Sequence, residues 1–331
     1  MKEKILVTGA GGEVGSVSNQ VIKHLRDQGY PVRAFFYKND QRTAAVEKMG
    51  AEIFKGDLLN LHDAVAALNG VTRVYFSMSL SPYYADAFIV MMAAMKQQGN
   101  IKAVINLSEY EQTFMTFENM KQEADVRRYL LGGKTDDWSP QQRAHWVSQR
   151  ALEWSGLPVI NVYADLFMEN PILSWLPLET VAKQGVLELP FGDKKLPPIA
   201  ATDLAEAVAN LLAKPEQYIG KSLTLTGDQL VDENDLAALY SEVLGKEITS
   251  KNLPIDEWVD KYISVVHAAH RDHEANHLEN LGRLTAGGMY EHTTTDLEDL
   301  LGHQPRGLKY ALEHNARVQE VKAALNGQAK G

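Results

Sequence analysis

Short apolar runs alternate with amphipathic stretches through the first 165 residues. KILVT, VRAFF, EIFKGD, RVYFS and AVINLS read as β-strands, and helical patterns separate them: from 13 onward, near 41 to 49, near 62 to 69 and near 84 to 98. A further helix, about 140 to 155, leads into PVINVYA. In the first helix Val14, Val17, Val21, Ile22 and Leu25 fall on one stripe, while Lys23, Arg26 and Asp27 fall on the other side. Strands joined by helices pair in parallel through right-handed crossovers, so the pattern predicts an α/β fold with a doubly wound parallel Rossmann sheet.

The pattern changes after residue 165. Pro171, Pro177, Pro190, Pro197 and Pro198 cut 166 to 199 into short pieces, which reads as an excursion out of the sheet. ATDLAEAVANLL then returns as an amphipathic helix with Thr202 as its expected cap, and LTLTG can add a strand. From 229 helices dominate, at 232 to 244, about 255 to 281, 294 to 301 and 307 to 325. The expected organisation is a dinucleotide-binding domain of residues 1–165 plus about 199–226. A smaller, mostly helical substrate-cleft domain would take 166–198 plus 227–331.

Composition narrows the partners. The 331 residues are 45% hydrophobic, which suffices for a sizeable core, and the net charge of −10 argues against nucleic acid, whose phosphates select basic surfaces. No cysteine is present, so any metal would need histidine and carboxylate ligands. KILVT is too short for a signal peptide and AFIVMMAAM too short for a membrane span. The expectation is a cytoplasmic protein with a small-molecule substrate, no nucleic-acid or membrane partner, and the option of a homodimer.

The strand KILVT runs straight into Gly9, Ala10, Gly11, Gly12, Glu13, Val14 and Gly15, followed by the amphipathic helix. In that setting Gly9 permits the tight turn, Gly12 lets a pyrophosphate reach the backbone, and Gly15 allows close packing of helix on strand. The helix N-terminus then faces the anion with free N–H groups. NAD sites usually carry an acidic residue at the tip of the second strand; here the tip reads Phe36-Tyr37-Lys38. Lys38, with Arg42, is placed to meet a 2′-phosphate, so NADP(H) is favoured over NAD(H). Asp57, in GDL after the third strand, suits either the adenine amino group or a turn cap.

HEANH at 273–277, inside HAAHRDHEANH, spells a zinc motif: two histidines one helical turn apart with Glu274 between them. Arg271, Asp272, Asn276, Glu279 and Asn280 surround it, and a third ligand at recognisable spacing is missing, so no metal is assigned. The remaining readings are a solvated or cleft-edge polar helix and a surface helix whose His270, His273 and His277, sharing one face, bind zinc or nickel adventitiously.

TGAGGEVG, the GDL after strand three, HWVSQRALEWSGLPVINVYADLFMENP, IAATDLAEAVANLLAKP and LLGHQPRGLKYALEHN together resemble the NmrA-like branch of the atypical short-chain dehydrogenase/reductases. The resemblance implies an NAD(P)-binding domain closed by a helical domain over a substrate cleft. It places the dinucleotide on Gly9 to Val14, Tyr37, Asp57 and Leu58, on the Ser77-Met78-Ser79 loop, and on Phe167, Met168, Glu169 and Asn170. Tyr37 departs from the arginine of many relatives, so Lys38 would have to substitute.

Ordinary members of the superfamily use Tyr-x-x-x-Lys, and here that stretch reads Gln141-Gln-Arg-Ala-His145. The resemblance puts His145 where some reductases carry a lysine, as proton donor or ribose holder; a histidine merely packed on its helix is the other reading. Ser108 and Tyr110, after the fifth strand, suit substrate contacts or turn roles. Phe114, Phe117, Trp138, Tyr163, Phe167, Trp175 and Trp258 divide between an aromatic cleft and plain core. The expected function is hydride transfer from NAD(P)H to a small conjugated or aromatic acceptor (quinone, azo compound or enone). The alternative is a non-catalytic NADP-binding redox sensor acting on a partner protein.

Overall fold

The computed structural model describes residues 2–12, 14–38, 41–266 and 270–328. Its first half alternates strands and helices: β1 (Lys4–Val7), α1 (Val17–Asp27), β2 (Val32–Phe36), α2 (Gln41–Lys48), β3 (Glu52–Lys55), α3 (Leu61–Ala67), β4 (Val71–Phe76), α4 (Tyr84–Gln98) and β5 (Ala103–Glu109). Short helices α5 (Phe117–Met120) and α6 (Ala124–Leu130) precede α7 (Pro140–Trp154) and β6 (Val159–Ala164). Then come α8 (Pro171–Ser174), α9 (Leu178–Gln184), β7 (Val186–Leu189), α10 (Ala201–Ala213) and β8 (Ser222–Leu225). The rest is α11 (Glu233–Leu244), β9 (Thr249–Asn252), α12 (Ile255–Trp258), a π turn at Val259–Ile263, α13 (Arg271–Ala286), α14 (Asp296–Leu301), α15 (Gly307–His314) and α16 (Ala316–Gln328).

The sheet has seven parallel strands in the order β3-β2-β1-β4-β5-β6-β8. The order reverses between β1 and β4, and ligands of such sheets bind beyond the strand ends at that crevice. One face buries the stripe of α1 with α10 and α14; the other buries α3, α4 and α7. Val21, Ile22 and Leu25 are wholly buried, and each contributes roughly 1.5–3 kcal/mol by leaving water. A separate apolar cluster gathers α9, α11, α13 and α15 around the paired strands β7 and β9. No described helix is long and apolar enough to cross a membrane.

Several boundaries move. The first helix begins at Val17, not 13, because Gly15 and Ser16 take left-handed φ values of 60° and 47° that a right-handed helix cannot continue. Thr202 lies inside α10, which starts at Ala201 after Ala200. The capping role falls to Glu169, whose Oε2 accepts from the Ala201 N–H at 3.1 Å. The expected helix 255–281 is interrupted: the π turn shifts the register, and the Arg271 guanidinium takes the carbonyls of Ser264 and Val266. The helix 307–325 breaks at Asn315, whose Oδ1 accepts from the N–H of Arg317 and Val318 and so caps a new start. Strand β9, with the sequence TSKN, was not expected; its partly exposed, polar residues carry no periodic apolar signal.

Candidate functional site

A cavity of about 470 Å³ opens at the β1/β4 crevice. Its floor is the glycine turn. Gly9 has φ +70°, and a Cβ there would sit 2.7 Å from the Ser77 carbonyl oxygen, so only glycine fits. Thr8 locks the turn to β4: its Oγ1 donates to the Ser77 carbonyl at 2.7 Å and accepts from the Ser77 N–H at 2.9 Å. Gly11 and Gly12 line the cavity with bare backbone, and α1 begins without a side-chain cap. A wall without side chains beside an uncapped helix start is chemistry that suits a dinucleotide pyrophosphate.

Gly15 faces a helix rather than a strand. A Cβ on it would lie 2.3 Å from the Ala201 Cβ, so this glycine lets the start of α1 press on the start of α10.

The opposite wall is built from β5, α7 and α13, and it carries titratable groups. His145 Nδ1 lies 2.9 Å from Ser108 Oγ, and its ring stacks on Tyr84 at 4.1 Å between centroids. Glu109 Oε1 lies between two imidazoles, 3.5 Å from His145 Nε2 and 3.4 Å from His277 Nε2. His277 Nδ1 meets Ser139 Oγ at 3.2 Å. These contacts would be ion pairs only with a protonated imidazole. Burial pulls His145 down to about 3, helped by neighbouring His277, and pulls His277 down to about 3, helped by His273. Burial likewise pushes Glu109 well above the carboxylate range, with Glu111 adding to the shift. Both imidazoles are thus held neutral, and the same burial favours the protonated form of the Glu109 carboxyl.

Two further acids sit behind it. Glu111 accepts from Gln142 Nε2 at 3.0 Å and from the Tyr290 hydroxyl at 2.8 Å, and burial raises it. Asp165 is raised well above its ordinary value by burial; its Oδ1 takes the Leu166 N–H at 2.7 Å and its buried Oδ2 has no partner among the described residues. Leu166, Phe167, Trp175, Leu278, Leu281 and Tyr290 supply apolar surface around them.

Residues 9–215 match the NAD(P)H-binding family, well over half of the chain, and 145–302 match the NmrA-like family. The chain belongs to the NAD(P)H-binding family. The NAD(P)H azoreductase of Xenophilus azovorans is 24% identical over 246 residues, covering 74% of this chain and 75% of that protein. The fold is shared with an NADPH-dependent quinone oxidoreductase of Escherichia coli solved with NADPH (TM-score 0.73, 21% identity, 97% of this chain and 100% of that one). It is also shared with NmrA, a negative transcriptional regulator solved with NADP (TM-score 0.72, 17% identity, 98% of each chain).

Within this family member the cavity gathers Gly9, Gly11, Gly12, Val14, Ser77, Met78, Ser79, His145, Phe167 and Asn170 from the expected cofactor set. Ala10 and Met168 are buried behind the wall, and Glu169 faces a second cavity beside α15. Glu13 lies outside the described residues. Tyr37 and Lys38 are exposed, with the Lys38 ammonium over the Tyr37 ring, whereas Arg42 reaches the cavity and donates to the Gly11 carbonyl. Asp57 takes the turn role: its Oδ1 accepts from the Leu59 N–H at 2.9 Å, while Leu58 packs on the α3/α4 core.

Of the aromatic candidates only Phe167 and Trp175 line the cavity; Trp138, Tyr163 and Trp258 are core, and Phe117 is exposed. The zinc-like histidines diverge. His273 Nε2 pairs with Gln141 Oε1 at 2.7 Å while His277 turns to Glu109, and among the described residues no group of acids and histidines is placed to hold a metal ion. His267 lies outside the described residues.

Sequence reasoning passed over Glu109 and Glu111, which flank Tyr110 at the C-terminal end of β5. Acidic residues directly behind an apolar strand, at the sheet edge where clefts form, were the available signal.

Proposed function

We propose that the protein is an NAD(P)H-dependent reductase of a small conjugated or aromatic acceptor, of the quinone, azo or enone type. The observation that carries this reading is one cavity with two unlike walls, a bare glycine turn facing an apolar and aromatic wall that also holds buried acids. Bound NAD(P)H would supply the hydride. Gly9, Gly11, Gly12 and Val14 would hold its pyrophosphate, and Phe167 and Asn170 would border the nicotinamide end. His145 takes the place of the absent Tyr-x-x-x-Lys pair at the reacting end. Acceptors of this class need mainly proximity and orientation to the hydride, which an apolar slot supplies. The reductase relatives are consistent with it.

We assign the 2′-phosphate preference to Arg42, with exposed Lys38 adding charge, so NADP(H) is favoured over NAD(H). Calorimetry with the four cofactor forms, followed by single-turnover mixing of the NADPH complex with quinones, azo dyes and enones, tests both parts. Oxidation above background supports the reading, and an inert complex sinks it. The second reading, an NADP-binding sensor, is favoured by the missing Tyr-x-x-x-Lys and by the likeness to a regulator; it expects tight cofactor binding with no oxidation by any acceptor.

A further inference from the structure

We propose that Ser108, His145 and Glu109 form a directed proton relay that ends on the substrate, with His277 as the positioning residue of the Glu109 carboxyl. This rests on the reductase reading above. The contacts accommodate one consistent assignment of hydrogens, which gives the relay its direction. Ser139 Oγ accepts from the Gln142 N–H at 3.1 Å and lies 3.2 Å from His277 Nδ1; in the relay its own hydrogen goes to that nitrogen. His277 then carries its hydrogen on Nε2, pointing at Glu109 Oε1. Among the described residues Glu109 Oε2 is buried without a partner, so within them a carboxyl proton meets its acceptor from Oε1, and that acceptor is His145 Nε2. His145 in turn carries hydrogen on Nδ1 and donates to Ser108 Oγ, leaving the serine hydrogen for the cavity that Ser108 lines.

Every hydrogen is thus placed for transfer in one direction. An acceptor that has taken hydride from NAD(P)H, leaving NAD(P)⁺, is an anion such as an enolate. Its oxygen takes the Ser108 hydroxyl proton; Ser108 regains one from His145 Nδ1, and His145 Nε2 takes the Glu109 proton. Glu109 is left as a carboxylate held by the His277 N–H, and solvent reprotonates it after product leaves. The 3.5 and 3.4 Å contacts are long for hydrogen bonds and would have to tighten around a bound substrate. The surroundings favour the protonated acid: Glu111 faces Glu109 from the end of β5, Tyr84 from α4, and Tyr290 from beyond α13, and none of them brings a positive charge.

The test uses two acceptors of different basicity after hydride transfer. An enone gives a poorly stabilised enolate, whose developing charge needs a positioned proton donor as the hydride arrives, whereas a quinone gives a resonance-stabilised hydroquinone anion that forms without one. Glu109→Gln and, should that variant fold poorly, Ser108→Ala should lower the enone-to-quinone ratio of kcat about 100-fold, with KM for the enone little changed. His277→Asn should shift the pH dependence of the enone reaction alone. Infrared spectra of the cofactor-free protein at pH 7 should lose one protonated-carboxyl band in Glu109→Gln. An unchanged ratio in folded, NADPH-binding variants overturns the relay, as does an unchanged infrared spectrum. Wild-type protein inert towards both acceptors overturns instead the reductase reading beneath it.

Discussion

The two walls of the cavity are made in opposite ways. The glycine turn is a local structure: residues 9 to 15 are contiguous, and its properties come from missing side chains and backbone angles. The acid wall is assembled from residues 109, 145 and 277, on a strand and two helices far apart in the chain, and its properties come from side chains that share one buried space. The first wall offers fixed dipoles to an anion. The second disfavours charge on each of its members by burying them together. The two kinds of wall meet across one cavity, which is the pairing the proposed reductase would need for a charged cofactor beside a proton donor.

The largest test of this contrast puts a charge on the local wall. Gly12→Asp should weaken NADPH binding by about 4 kcal/mol, roughly a thousandfold in Kd, since a carboxylate about 4 Å from a pyrophosphate charge repels it at an effective dielectric of about 20. Calorimetry reads the affinity, and a melting curve checks that the fold survives. Gly15→Ala strikes the packing beneath the same wall. With φ +60° and a Cβ 2.3 Å from that of Ala201, it should cost about 3 kcal/mol of unfolding free energy in urea. Adding Ala201→Gly should recover the clash and leave the backbone strain.

The acid wall predicts a pH signature. A carboxyl raised in the folded state binds its proton more tightly there, so its stabilising effect is complete below about pH 4.5 and is lost as pH rises towards the folded pKa. The advantage of Glu109→Gln over wild type should therefore grow from pH 5 to pH 8, by up to about 1.4 kcal/mol per unit. A constant difference would mean that Glu109 is ionised in the fold. The histidines act in the other direction: held neutral, His145 and His277 lose stability for the protein as pH falls below about 6.5. The smallest effect belongs to the cofactor's ribose end. Arg42→Ala should reduce the preference for NADPH over NADH by about 1–2 kcal/mol, and Lys38→Ala by less, because Lys38 is exposed and screened.

Much of the fold was legible because its signals are periodic and local. The strand Lys4–Val7 with its glycine turn, the helix of ATDLAEAVANLL and the strand Ser222–Leu225 lie within a residue or two of where their patterns put them, while α1 starts four residues late. The losses have physical causes. TSKN forms a strand by pairing with Val186–Leu189, a partner 63 positions earlier at each register step, and nothing in its own residues demands it. The helix expected over 255–281 breaks because Arg271 reaches back to two carbonyls, which periodicity cannot register. HEANH looked like one unit of chemistry, yet its two histidines serve different partners.

The sequence by itself determined the parallel sheet, the glycine turn and the cofactor class, since each follows from backbone conformation and burial patterns within a dozen residues. Only the tertiary structure decided that Glu109 meets His145 and His277, that Arg42 rather than Lys38 reaches the cavity, and that Asp57 serves its own turn. A residue's protonation and partners depend on which distant elements exclude water around it, and that information is absent from any local stretch of chain.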